Sequence, residues 1–435
     1  MNIIEILRGL FGLAAMVLIC YALSINRKKI NWRLVQMGLF LQIMFALGVM
    51  KVNFIHIIFK WISERFVSLI QIFHKGIEFL FGNLADASQP WAFVFAIQVL
   101  PTIIIFSALS ALLYYFGILQ KVCYVFAWLL SKSMKLSGAE SLSTAANIFL
   151  GQTEAPIMIR PYLAAMNKSE ILLIMIGGMA NTAGSVLGAY VQMLGGNDPA
   201  AQSYYALHLI TQSIISAPAA IVVSKILFPN TDETILQREI NVPKEKLGSN
   251  FLDAISIGTT DGLKLAVNVG AMLIVFTALV YLVDATFFKI GSWTQLNPLI
   301  YDATNHRYDG LSLRLIFGYL FAPLAWLIGT PSQDMLTIGQ LLGEKTMINE
   351  FYAYGTLSKM LSENILTPFS KSTLIATYAL SGFANFASIG IQIGGISTLA
   401  SNQRPNLSEL GIKALIGGTI ACLMTACVAG MMWEG

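Results

Sequence analysis

Eight stretches of this chain, near 5–25, 34–50, 91–119, 171–195, 204–228, 263–286, 366–399 and 411–433, stay apolar for about the length that a helix needs to cross a hydrocarbon core of roughly 30 Å. No other feature constrains the fold as much. Backbone amides and carbonyls find no water inside a bilayer, so a spanning segment must be a helix or part of a closed barrel. Long apolar runs without alternation select helices. Composition agrees, with 56% hydrophobic and 11% charged residues among 435 and a mean hydropathy of +0.68. The sequence predicts an all-α integral membrane protein with about eight crossings. The first run is too long for a signal-peptide core and lacks an A-x-A site, which predicts a retained anchor preceded by the charges Glu5 and Arg8.

Basic residues in short loops set the expected orientation. Arg27, Lys28, Lys29 and Arg33 follow the first run, and Lys121, Lys132, Lys135, Lys168, Lys225, Arg238, Lys244, Lys246, Arg404 and Lys413 fall on the same side by alternation. That side is expected to be cytoplasmic, with both termini on the outer face of a plasma membrane (a bacterial inner membrane). Residues 51–82 interleave charges with Phe, Ile and Trp and predict an amphipathic helix in the outer interface. Residues 229–250 read as a solvated linker. The expected organisation is therefore 1–90, N-terminal membrane helices and interfacial helix forming a scaffold; 91–228, a first repeat; 229–250, a cytoplasmic linker; and 251–433, a second repeat.

Cys20, Cys123, Cys422 and Cys427 lie in apolar runs and read as small buried hydrophobes. His56, His74, His208 and His306 lack ligand spacing, and phosphate loops, H-E-x-x-H and G-x-S-x-G do not occur, so enzyme chemistry is unadvertised. The net charge of +4 is spread over loops and gives no nucleic-acid stripe.

What does stand out is polarity at membrane depth. Residues 137–169, with "LGQTEAP" at their centre, are too interrupted to cross once and predict a re-entrant hairpin, Gly151 permitting its turn and Pro156 starting the return. Residues 331–352 predict a second hairpin. "GMANTAG" at 178–184 and "GFANFAS" at 382–388 match in register, each following a polar stretch with a glutamate. An odd number of crossings between two such units inverts one relative to the other, the arrangement by which transporters build a central site. A carboxylate at the bilayer centre costs about 2.5–3.5 kcal/mol on insertion scales, so Glu154 and Glu350 are expected to serve a ligand rather than packing, the plainer alternative for each being an ion pair with a Lys or Arg such as Arg160. Gln152, Thr153 and Glu154 together match a flat heterocycle edge bearing N–H and C=O; Glu350 and Asn385 suit the hydroxyls of a sugar. Taken by themselves, Asn181 and Asn385 equally suit interhelical hydrogen bonding, and Val186 and Phe383 read as packing.

"GQTEAP" (151–156), "GEKTMINEFYAY" (343–354) and "SGFANFASIG" (381–390) together resemble the concentrative nucleoside transporters over most of the chain from about 90 to 433. The resemblance implies eight transmembrane helices and two re-entrant hairpins, a scaffold domain, moving transport domains and a homotrimer. It implies that Gln152, Thr153, Glu154 and Val186 bind the nucleobase and that Glu350, Phe383, Asn385 and Ser388 bind the ribose. It places sodium at Asn147, Leu150, Asn181 and Thr182, with no other cofactor. Two departures stand out: Tyr352 where the family usually has Val, and Asn181 where Ser or Thr is usual. The expected function is symport of nucleosides such as uridine, cytidine or adenosine, driven by sodium. A proton-coupled symporter, a membrane-embedded enzyme with Glu154 and Glu350 as acid and base, and a passive channel are the alternatives.

Overall fold

The computed structural model describes residues 3–85, 94–230, 240, 242, 247–304 and 306–433, and among these every regular element is helical. α1 (Ile3–Leu23), α2 (Trp32–Lys51) and α3 (Asn53–Phe81) precede two similar sets of helices. The first set is α4 (Phe95–Gln98), α5 (Leu100–Tyr115), α6 (Ile118–Met134), α7 (Gly138–Ala146), α8 (Arg160–Leu163), α9 (Lys168–Ala180), α10 (Gly184–Gly195) and α11 (Pro199–Leu227). The second is α12 (Phe251–Trp293), α13 (Leu296–Ala303), α14 (Leu313–Leu327), α15 (Met335–Met347), α16 (Glu350–Ser362), α17 (Lys371–Leu380), α18 (Phe386–Leu399) and α19 (Arg404–Met432). Among the described residues seven helical stretches are long and apolar enough to span a membrane. The eighth expected crossing, 366–399, is the pair α17 and α18, each too short to span alone.

The two sets repeat the same packing. α6 packs on α7 as α14 does on α15, α7 on α9 as α15 on α17, α9 on α11 as α17 on α19, and α10 on α11 as α18 on α19. The matched motifs fall on the two breaks, residues 181–183 between α9 and α10 and 381–385 between α17 and α18. Both breaks need glycine for backbone-to-backbone contact. A Cβ on Gly184 would lie 2.9 Å from the carbonyl oxygen of Phe149 in the first hairpin, which also accepts a 2.9 Å bond from the Gly184 amide. A Cβ on Gly382 would lie 2.6 Å from the carbonyl oxygen of Met179, so the second break sits directly on the first. The Thr182 hydroxyl donates to the Ser381 carbonyl, joining them.

Burial separates an inner bundle from an outer pair. The membrane-suited window in 168–195 is 94% buried and that of α12 only 11%, although α12 is the more apolar. α5 and α12 pack closely on each other because Gly258 and Gly262, four residues apart, meet Ala108, Ala111, Ser107 and the Ile104 backbone. α1 packs on α19 and α2 on α11, so the first two helices lie against the inner bundle. Glu5 and Arg8 do not pair with one another. Glu5 accepts from Lys371 and Arg8 donates to the Thr330 carbonyl, which fastens α1 to the second half.

Several expectations shift in extent. α3 buries Ser63, Val67, Ile70 and Ile77 on one face and exposes Lys60, Arg65 and Lys75 together with Phe54, Trp61 and Phe79, the pattern of an amphipathic helix. α12 outruns the expected 263–286 at both ends because its polar ends continue the same helix. The returning arm of the second hairpin runs on to Ser362, since the polar positions after Tyr352 lie on a helix that the apolar count did not favour. α14 was not foreseen, being apolar but too short to be read as a crossing. All four cysteines are buried with free thiols. Of the expected linker and its basic residues, 231–239, 241 and 243–246, including Arg238, Lys244 and Lys246, lie outside the described residues.

Candidate functional site

The first hairpin starts with a capping box: the Ser137 hydroxyl accepts from the Glu140 amide at 3.2 Å and the Glu140 carboxylate accepts from the Ser137 amide at 3.1 Å. Glu140 also takes the ammonium of buried Lys225, which donates to Ser169 at 3.1 Å, so this charge is paired inside the protein. α7 ends at Asn147 and the chain turns through 147–154. Glu154 closes that turn with its own side chain, accepting from the Gly151 amide at 3.1 Å. Ala155 and Pro156 then begin a 3₁₀ turn that leads into α8.

The tip crosses into the other half. The Gln152 amide donates to the Ser388 hydroxyl on α18 at 3.3 Å, and Thr153 packs so close to α18 that a Cβ on Gly395 would meet its methyl group at 2.7 Å. The second tip makes the converse crossing. Asn349 caps α16 by accepting from the Tyr352 amide at 2.8 Å, which places Glu350 in its first turn. One oxygen of Glu350 accepts from the hydroxyl of Tyr190 on α10 at 3.3 Å, the other from the amide of Asn385 at 2.8 Å. The Asn385 oxygen in turn caps α18, accepting from the Ser388 amide at 2.9 Å. Tyr190 is held by stacking on Tyr354, ring centres 4.4 Å apart.

Between the tips and the breaks lies a cavity of about 260 Å³. Gln152, Thr153, Glu154, Val186, Glu350, Phe383, Asn385 and Ser388 all line it, so the structure gathers every residue expected at the base and sugar positions. Glu154 has no ion pair with Arg160, which is exposed. The Gln152 carbonyl oxygen is buried without a partner, as is suitable for a group that meets a ligand. Three contributors went unread. Tyr190 lies one turn beyond Val186 on the same face of α10, a spacing that could have exposed it. Asn268 and Met272 enter from α12, and nothing local distinguishes them from other positions of that apolar helix.

The four expected sodium positions lie in the first tip and the first break. Asn147 is 1% exposed and neither atom of its amide has a partner, which costs about 1–3 kcal/mol if nothing else satisfies it. It packs on Gly177, whose carbonyl accepts from the amide of Asn181 at 3.3 Å. The Asn181 oxygen accepts from Ser216 on α11, so this residue also joins helices. Thr182 lies in the break and Leu150 is buried in the tip. An orphaned, buried amide oxygen suits a hard monovalent cation. Among the described residues no group of three or more His, Cys, Asp or Glu could hold a metal.

Comparison with known proteins supplies independent evidence. Family models described as Na+ dependent nucleoside transporter C-terminus, Na+ dependent nucleoside transporter N-terminus and nucleoside recognition match residues 208–430, 11–84 and 96–197. A transporter of Haemophilus influenzae is 39% identical over 98% of both chains. Sodium/nucleoside cotransporter 1 of Rattus norvegicus is 36% identical over 97% of this chain, which spans 63% of that relative's length. Among solved structures, CNTnw in an inward-facing substrate-bound state aligns with a TM-score of 0.87 at 36% identity over 98% of each chain. A CNTnw variant in an outward-facing state aligns with a TM-score of 0.89 at 36% identity over 99% of this chain and 98% of that one.

Proposed function

Because the chain belongs to the Na+ dependent (concentrative) nucleoside transporter family, which is a family of transporters and not of enzymes, we propose that it carries nucleosides across the plasma membrane by cation-coupled symport. The observation that carries this reading is the enclosure of one cavity by two crossed hairpin tips and two helix breaks, with polar groups on every wall, α12 contributing Asn268 alone. Gln152, Thr153 and Glu154 offer donors and acceptors to the base edge with Val186 beside them; Glu350, Asn385 and Ser388 take the ribose hydroxyls with Phe383 alongside.

Sodium at Asn147, Leu150, Asn181 and Thr182 would fix the first tip against the break, so that Gln152 and Glu154 are oriented before the nucleoside arrives. Each ligand then raises the other's affinity by the same factor. A potential of 100 mV contributes about 2.3 kcal/mol per charge and a tenfold sodium gradient about 1.4 kcal/mol, together enough to hold nucleoside two to three decades more concentrated inside. The inner bundle moves as a unit past α5 and α12, in an elevator-like exchange between outward- and inward-facing states; the existence of both states for CNTnw supports this reading. The exposed apolar stripe of α12, with Leu263, Val267, Ile274 and Leu282, suits assembly as a homotrimer in a bacterial inner membrane.

Counterflow of radiolabelled uridine and adenosine in proteoliposomes, with sodium or a proton gradient imposed separately, tests the proposal. Sodium-stimulated exchange of either nucleoside is expected. Stimulation by protons alone would transfer the coupling to protons, exchange indifferent to both would indicate a channel, and no exchange of either nucleoside would remove the substrate assignment.

A further inference from the structure

Away from the central cavity, the segment leading into α14 separates two others. One of about 510 Å³ faces α12 and one of about 190 Å³ faces the second hairpin; Arg307, Tyr308 and Arg314 line both. Tyr308 is only 8% exposed, its hydroxyl sits over Gly318, and that hydroxyl has no hydrogen-bond partner. The Arg314 Nε is likewise buried and unpartnered. Arg314 also bonds to Tyr352 of the second hairpin, which sets its guanidinium between the two cavities.

The larger cavity also carries acid. Asp284 and Asp309 line it together with Arg307 and Arg314, so neither sign dominates. Guanidinia in this setting favour a phosphate, to which they donate in pairs, and carboxylates favour an ammonium with N–H bonds to give. The ligand therefore has both groups a few bonds apart. Its surroundings are apolar: Phe288 on α12 and Tyr319 and Leu320 on α14 are exposed on either side of the junction where these two helices touch. Aromatic residues at the end of a spanning helix mark the level of lipid headgroups.

We propose that this cavity binds the headgroup of a phospholipid carrying a phosphodiester and a primary ammonium, with its acyl chains lying along the cleft between α12 and α14. Arg307 and Arg314 hold the phosphate, and Asp309, with the Asp284 oxygen that the Leu313 amide leaves free, holds the ammonium. The apolar flanks select the lipid over a soluble zwitterion with the same headgroup.

The test is native mass spectrometry of the purified full chain in detergent with phosphatidylethanolamine, phosphatidylcholine and phosphatidylglycerol offered at equal concentration. Retention of phosphatidylethanolamine is expected to exceed that of each of the others by about fivefold, since a quaternary ammonium cannot donate and a glycerol carries no charge for Asp309. Arg307→Gln, on an exposed segment, should lower that retention about tenfold, and Asp309→Asn should remove the preference over phosphatidylglycerol, with thermal melting showing both variants folded. Equal retention of the three lipids, or unchanged retention by both folded variants, overturns the proposal. Displacement of the lipid by inorganic phosphate or by glycerophosphoethanolamine at matched concentration would overturn the lipid in favour of a free anion or a soluble zwitterion.

Discussion

Both carboxylate oxygens of Glu350 accept hydrogen bonds in this conformation, from Tyr190 and from Asn385, so a ribose must share or displace them. Glu350→Gln replaces one acceptor by a donor facing donors. Hydrogen bonds to a charged group contribute about 1.5–3 kcal/mol, so uridine uptake should fall about 10- to 100-fold in kcat/KM while the variant elutes like the parent. Normal uptake would remove Glu350 from the sugar position. Asn147→Ala and Asn181→Ala separate two roles: both should flatten the sodium dependence of uptake, but only Asn181→Ala, which also loses Ser216, should lower the melting temperature. An unchanged sodium curve in both would move the coupling ion elsewhere. The polar members of this set were legible because a carboxylate or amide in a membrane helix is expensive and so announces itself. Tyr190 and Asn268 were not, because a tyrosine or a lone asparagine among apolar residues has many cheaper explanations, and only the fold shows which way each points.

Interruptions in helices, more than the helices, organise the structure. The two tips were readable from glycine, proline and clustered polar residues, since such backbone cannot face lipid, whereas the breaks at 181–183 and 381–385 lie inside stretches that read as single crossings. Gly184 is an exacting position, because any Cβ there collides with the Phe149 carbonyl of the first tip. Gly184→Val should cost about 1–3 kcal/mol by overpacking and pull the tip off the break, seen as a lowered melting temperature together with weakened sodium activation. A variant with parental stability and sodium response would show that tip and break need not touch. What was not readable, the extent of α16 and the existence of α14, belongs to elements whose length and polarity fall between those of a crossing and a loop. Their placement is decided by tertiary contacts with α15, which no local pattern encodes.

The whole molecule joins an inner bundle to the outer pair α5 and α12, and the central cavity has walls from both. Asn268 is the one polar side chain that α12 contributes, so if the bundle slides past that helix, Asn268 meets the nucleoside in one end state only. Asn268→Leu is therefore expected to shift the apparent nucleoside affinity about fivefold when measured from one face of the membrane and to leave the other face unchanged, in vesicles of defined orientation. Equal shifts on both faces would place α12 in the moving body. The repeat itself was legible from two seven-residue motifs, but the outer position of α12 was not, because apolar composition is the same for a helix facing lipid, a partner copy or a bundle.

The crossing of each tip into the opposite half bears on how the chain is made. Gln152 enters the bilayer during synthesis more than 200 residues ahead of Ser388, the hydroxyl that receives its amide, and Tyr190 likewise precedes Glu350. Until the ribosome has finished α18, the early half is an open polar wedge that the insertion machinery must shelter. Cutting the gene within 229–250 and expressing both fragments together should restore a working carrier, whereas either fragment alone should be cleared by membrane proteases.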